Sequence, residues 1–330
     1  MSSKAWLSLR HHLGKSQANL CLLVGSGIHA QWNAATHREK VQKEILSSWP
    51  SLLSALGAEP RSAQTLSSVR WEQLTIAGAP ARAVIEKVGI SLSKWRRLAA
   101  RERETVLQQA TAKCIAEAEA VLASSAKCGL DPVKRVVNSR VVTDVISLNL
   151  DTVAERMLGE WKSPAQRVRS DKPQVIAKAN GERVRVWHPH GDHRRPTSIR
   201  LGLRHYASLT PQVDKARRIA KSLERGQGYD AAKKHALESP ESWVELMLHR
   251  PLLVLGASLS ELEWDLWQSF VDRRRNYAKH GNGGYQPPMW ILSTPCSHPK
   301  LPHDWFEQLQ DTEWTNAWNR LADMMPQAFD

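Results

Sequence analysis

The chain has 330 residues, 42% hydrophobic and 24% charged, enough for one large domain or two smaller ones with a full core. No apolar run approaches the roughly 20 residues of a membrane span, and the first residues, Met1-Ser2-Ser3-Lys4-Ala5-Trp6, do not form the long apolar segment expected of a secretory signal. Four scattered cysteines without a C-x-x-C pair argue against a disulfide scaffold or a cysteine-zinc site, so a cytoplasmic protein is expected. The net charge of +13, with clusters at Arg96-Arg97, Arg194-Arg195 and Arg273-Arg274-Arg275, favours polyanions: nucleic acid, an acidic protein surface or a phosphate-bearing small ligand. A merely solvated basic surface is the plainer alternative. Fourteen tryptophans against three phenylalanines suit core and interface anchors, and no aromatic-basic alternation of a single-strand-binding groove is present.

In chain order, residues 4–13 pattern as a short amphipathic helix. Asn19 to Val24 is an apolar run short enough for a buried strand. It breaks at Gly25-Ser26-Gly27-Ile28-His29-Ala30 and passes into a helix-like stretch from Gln31. Strand, glycine turn and helix is the setting in which G-x-G-x-x-A cradles a diphosphate, although two glycines often make only a turn. A hydride-transfer enzyme needs an acid at the end of a second strand about 20 residues on. Residues 36–56 are patterned as helix instead, which counts against that class.

Residues 60–128 look helical, most clearly Arg101 to Ala126, which Gly129-Leu130-Asp131-Pro132 stops. The whole 36–135 block is expected as a helical insertion after the first strand, serving as a lid or a docking surface. The second strand, Val141 to Leu148, ends in Asn149-Leu150-Asp151-Thr152, where Asp151 or Thr152 can cap the next helix. Lys178 to Glu182 carries an Asn-Gly hairpin signal leading into Val184-Arg185-Val186-Trp187 and then His188-Pro189-His190-Gly191-Asp192-His193. A short strand is expected at Thr197–Leu201, then helices over 211–249. A buried strand at Pro251–Leu255 breaks at Gly256-Ala257-Ser258, and Ser260 with Glu263 forms a capping box. Met289–Ser293 is the last expected strand, and residues 300–330 are expected as C-terminal helices.

Two chemistries compete at the histidine turn. His190 can transfer a proton beside a nucleotide, or His188, His190, Asp192 and His193 can hold metal ions, since H-x-H-x-D-H is the signature of metallo-β-lactamase-like hydrolases. That metal site needs further ligands from residues such as His205, His235 or His249, which lie in helical or turn-like contexts.

Taken together, Gly25-Ser26-Gly27-Ile28, Ser147-Leu148-Asn149-Leu150-Asp151, His190-Gly191, His205-Tyr206 and Leu255-Gly256-Ala257-Ser258-Leu259-Ser260 resemble, in order, the strand-end motifs of the sirtuin-like NAD-consuming domains of bacterial antiphage effectors, of the Thoeris type and relatives. The similarity spans roughly residues 18–300 without the helical insert. His29, Leu148 and Glu261 depart from the pattern, and the cysteine-zinc module of deacylating sirtuins is absent. The resemblance implies a single α/β domain over 1–330, with a Rossmann-like, mostly parallel sheet flanked by helices. It also implies cleavage of NAD⁺ to nicotinamide and ADP-ribose without a metal. Asn149 and His190 would be catalytic. Gly25, Ser26 and Gly27 would cradle the diphosphate, Gly256 and Ser258 would reach the adenosine ribose, and Asp151 would bind or brace the Asn149 turn. Such activity needs gating, which implies an activating partner protein in trans or a homo-oligomer; nucleic acid is not required and no membrane is expected. A non-catalytic ADP-ribose or nucleotide sensor would use the same pocket.

Overall fold

The computed structural model describes residues 3–15, 18–57, 71, 74, 82–125, 129–158, 173–178, 181–257, 259, 264–280, 287–293 and 301–326. Among the described residues seven strands form one sheet: β1 (Leu20–Val24), β2 (Val142–Ser147), β3 (Gln174–Ala177), β4 (Arg183–Trp187), β5 (Leu252–Leu255), β6 (Met289–Ser293) and β7 (Glu307–Gln310). Their order is β3-β4-β2-β1-β5-β6-β7. All neighbours are parallel except the β3–β4 hairpin. β1, β5 and β6 are buried at every position, as parallel strands covered on both faces must be, and their residues are accordingly almost all apolar.

The parallel order is that of a doubly wound, Rossmann-like sheet. From β1 the chain moves outward through β2 to β4, then returns to the other side of β1 with β5. The direction reverses at β1, and open sheets of this kind take their ligands at the carboxyl edge beside such a reversal.

Alternate residues of β1 feed the two layers. Leu22 and Val24 join the core that contains α1 (Ser3–Leu13) and most of the insertion. Cys21 and Leu23 join the other core, against α9 (Leu203–Gln227), α11 (Trp243–His249) and α12 (Trp264–His280). α8 (Val153–Leu158) follows β2, α10 (Tyr229–Glu238) precedes α11, and α13 (Trp314–Met324) is the last helix described.

Among the described residues the insertion contains α2 (His37–Ser47), α3 (Trp49–Ala55), α4 (Arg82–Val88), α5 (Leu92–Arg97), α6 (Ala100–Ser124) and α7 (Asp131–Val137). It shares one apolar cluster with the sheet, so it belongs to the same folded unit. A capping box starts α2: the Glu39 amide donates to Thr36 Oγ1 at 3.1 Å, and the Thr36 amide to Glu39 Oε2 at 2.8 Å.

Away from the carboxyl edge, Asp144 of β2 is fully buried between two guanidiniums. Arg185 donates at 2.6 and 2.8 Å and Arg250 at 3.2 Å, tying β2 to β4 and to the segment entering β5.

Three expectations are corrected. The β1 turn continues as a 3₁₀ turn over Ser26–Gln31, and the α-helix starts only at His37, where Thr36 supplies a cap. Residues 197–201 are not a strand: Pro196–Ser198 forms a 3₁₀ turn whose Ser198 hydroxyl holds the Arg195 carbonyl at 2.7 Å. Residues 300–330, expected as helices alone, also contribute β7, an edge strand in which only Leu309 is buried. The Ser260–Glu263 capping box lies outside the described residues.

Candidate active site

Parallel pairing brings the ends of β1, β2, β4 and β5 to one edge. The Leu148 amide donates to the Val24 carbonyl at 2.9 Å, that of Gly25 to Leu255 at 2.9 Å, and that of His193 to Leu150 at 2.8 Å. The loops carrying Gly25–Gly27, Asn149–Asp151, His190 and Gly256 thus leave the sheet at the same edge; Ser258 lies outside the described residues.

The glycines have a structural reason of their own. A Cβ on Gly25 would sit 2.6 Å from Ala257 Cα, and one on Gly27 2.7 Å from Gly256 Cα. Gly256 itself has φ of 63°, in the left-handed region. The Gly27 amide donates to the Gly256 carbonyl at 2.8 Å. The N–H groups of Gly25 and Gly27 therefore fasten the β1 turn to the β5 turn, and Ser26 is the member of the turn that lines the cleft.

Asn149 and Asp151 line the same cleft. Asn149 is 4% exposed, and neither its amide oxygen nor its amide nitrogen has a hydrogen-bond partner among the described residues. Each unmet buried group costs about 1–3 kcal/mol, so the amide presents a donor and an acceptor that a group placed in the cleft could meet.

Asp151 accepts from the Val153 amide at 3.0 Å, capping α8, and pairs with His29 Nε2 at 3.3 Å. His29 also donates from Nδ1 to the Ser26 carbonyl at 2.9 Å. Burial opposes charge on His29, but the Asp151 carboxylate outweighs it and the imidazole pKa is raised. Burial likewise opposes the Asp151 carboxylate, and the charge on His29 holds its pKa below the usual value. Behind them Glu119 of α6 accepts from the Thr152 amide, from its hydroxyl at 3.0 Å and from Arg156 at 3.1 Å. Burial and the neighbouring Asp151 charge push the Glu119 pKa up.

His190 is completely buried. Its Nε2 lies 3.2 Å from Asp265 Oδ2 in the first turn of α12, and its ring stands against Trp49. Gly191, with φ of 83°, turns the loop so closely that a Cβ would lie 2.1 Å from the Ser198 carbonyl.

The other members of H-x-H-x-D-H turn to separate partners. His188 donates to Glu155 at 2.9 Å and to the Asn149 carbonyl at 3.2 Å. Asp192 holds Arg194 at 2.9 Å, and His193 donates to the Leu150 carbonyl at 3.2 Å. Among the described residues no group of three or more His, Cys, Asp or Glu is placed to share a metal ion. His205, His235 and His249 lie on α9, α10 and α11, and His205 is engaged by Glu104 at 2.7 Å.

Over the cleft lie Ile45, Leu46, Trp49 and Leu52 of α2 and α3, with Ile115 of α6. They leave a cavity of only about 20 Å³ beside Ser26, Asn149 and Asp151. Asp265, Trp49, His29 and Glu119 were not picked out as site residues from the sequence. Only His29, beside the glycine turn, carried a local signal.

Fold and site together define a Rossmann-like α/β protein with a small cleft at the carboxyl edge of its sheet, lined by Ser26, Asn149 and Asp151, and with His190 buried against Trp49 of the cleft wall. No protein-family model matches the chain, and no curated protein sequence matches it.

Proposed function

We propose that the protein is an NAD⁺ glycohydrolase of the sirtuin-like type, cleaving the nicotinamide–ribose bond and acting as a gated effector in antiviral, abortive-infection defence. The observation that carries this reading is the buried amide of Asn149, without a hydrogen-bond partner among the described residues, at the carboxyl end of a central strand where open α/β sheets take their ligands. A ribose hydroxyl and the attacking water are groups an amide can orient together, holding the reactive geometry. Departure of nicotinamide leaves an oxocarbenium-like ribose. Water adds to C1′ and His190 takes the proton released, an effect worth about 10²–10⁴-fold. Ser26 is the β1-turn residue that would meet the diphosphate, and Gly256 marks the side of the adenosine ribose.

The narrow cleft supports the gating. Sites for drug-sized ligands run to about 300–1,000 Å³, and a dinucleotide falls toward the upper end. With only about 20 Å³ under α2 and α3, entry requires those helices to shift. A partner protein or a second copy, docking on the insertion and the basic surface, would supply that shift. No described helix is long and apolar enough to cross a membrane.

The test follows nicotinamide release from NAD⁺ by the purified chain, alone and with the products of neighbouring genes. Release that survives chelation and is lost in Asn149→Ala and His190→Ala supports the reading. Silence under every activator, or complete loss on chelation, rejects it. ADP-ribose binding without turnover would assign a sensor instead.

A further inference from the structure

We propose that Asp265 is the positioning residue for His190, fixing the imidazole so that Nδ1, rather than Nε2, is the basic nitrogen; this rests on the reading of His190 as the base. The two residues come from opposite sides of the strand-order reversal, His190 from the loop after β4 and Asp265 from the helix after β5. Their contact joins Nε2 to Oδ2 at 3.2 Å, with side chains 0% and 1% exposed.

A carboxylate can only accept, so the hydrogen of this bond belongs to Nε2, and the lone pair of the neutral ring falls on Nδ1. When water adds to C1′, its O–H bond breaks, its oxygen becomes the new hydroxyl, and the proton forms a bond to Nδ1. The resulting imidazolium then lies against a carboxylate already in place.

The other buried histidine–acid pairs near the cleft are built differently. Glu155 divides itself between His188 and Arg194, and Asp151 between His29 and the Val153 amide. Asp265 has no such second duty: its other oxygen, Oδ1, is buried and has no hydrogen-bond partner among the described residues. A first-turn acid serving the helix dipole alone works from the surface. Burying it against one imidazole is the arrangement of an orienting carboxylate.

Two measurements on the full chain test this. The first is the nitrogen-15 NMR spectrum of wild-type His190 in its neutral form, which reports the tautomer without any turnover. A proton on Nε2 is expected; a proton on Nδ1 overturns the proposal, even if NAD⁺ is cleaved. If no nicotinamide is released under any condition, the hydrolase reading fails while the tautomer still decides the role of Asp265.

The second is Asp265→Asn, which keeps the shape and removes the charge. With turnover established, kcat is expected to fall about 10²–10⁴-fold with little change in KM, and Asp265→Glu is expected to recover part of it. An unchanged kcat in Asp265→Asn, or a loss carried entirely by KM, counts against the assignment. If Asp265→Asn does not fold, the wild-type tautomer alone decides.

Discussion

The indole of Trp49 stands edge-on to the imidazole of His190, their centroids 6.3 Å apart and their planes at 75°. One ring belongs to the insertion and the other to the candidate catalytic loop, so the helices over the cleft and the proposed base are in direct contact. Trp49→Ala is expected to loosen this closure. Basal nicotinamide release at limiting NAD⁺, without activator, should rise about tenfold, which corresponds to a closed state weakened by about 1.4 kcal/mol. Melting should show a stability loss of about 0.5–3 kcal/mol. Unchanged or lower basal turnover in a folded variant would mean that α3 is a wall of the site rather than its cover.

The His29–Asp151 pair sets a pH window. The raised pKa of His29 means that its contribution is complete below the usual value of about 6.5 and fades as pH climbs through the higher folded value. Asp151, with a lowered pKa, contributes fully above about 3.9 and loses that contribution as pH falls through its folded value. Both contributions are present between roughly pH 4 and 6.5. His188, raised by Glu155 against the opposing effect of burial, adds a second loss on the alkaline side. Thermal melting across pH should therefore show a steeper alkaline decline in the wild type than in His29→Gln. Parallel alkaline limbs would show that His29 is neutral in the folded protein.

Gly191 tests the aim of His190. At φ of 83° any side chain strains the backbone, and the Ser198 carbonyl fills the place of a Cβ. Gly191→Ala should move the loop and, with an ångström-scale displacement of His190, reduce nicotinamide release about 10²-fold. Retained circular dichroism with that loss is the expected pattern. Full activity would mean that the loop yields elsewhere.

Much of this arrangement is legible in the residues. The apolar runs 19–24, 141–148, 251–255 and 289–293 are strands because parallel strands buried on both faces leave little place for polar side chains. The glycine turns at 25–27 and 256 follow from two backbones meeting where side chains do not fit. β7 escaped notice because Glu-Gln-Leu-Gln has one apolar residue, and an edge strand needs no more. The Asp265 and Trp49 contacts with His190 had no local signal: an aspartate and a tryptophan in helical stretches look ordinary until the sheet brings distant loops together. The diphosphate motif illustrates the converse, since Gly25 and Gly27 match it while their N–H groups serve the β5 turn.

Asp144 offers a control remote from the cleft. Removing it leaves Arg250, itself 1% exposed, without its carboxylate. Asp144→Ala should destabilise the protein by about 3–5 kcal/mol, while activity per folded molecule stays unchanged. Equal denaturation midpoints for variant and wild type would show that the guanidiniums find other partners.

The central position of β1 also governs how the chain reaches its native state. Leu22 pairs with Val145 on one side and Leu253 on the other, and the entire helical block intervenes before the first of these. Contacts so distant in sequence slow folding, because chain closure must precede any gain from pairing. A wholly apolar strand then waits unpaired, the kind of segment that associates between chains. Early formation of the long α6, whose contacts along its own axis are local, shortens the gap the ribbon must span. Refolding yield should accordingly drop as protein concentration rises, and more steeply when α6 is interrupted by proline.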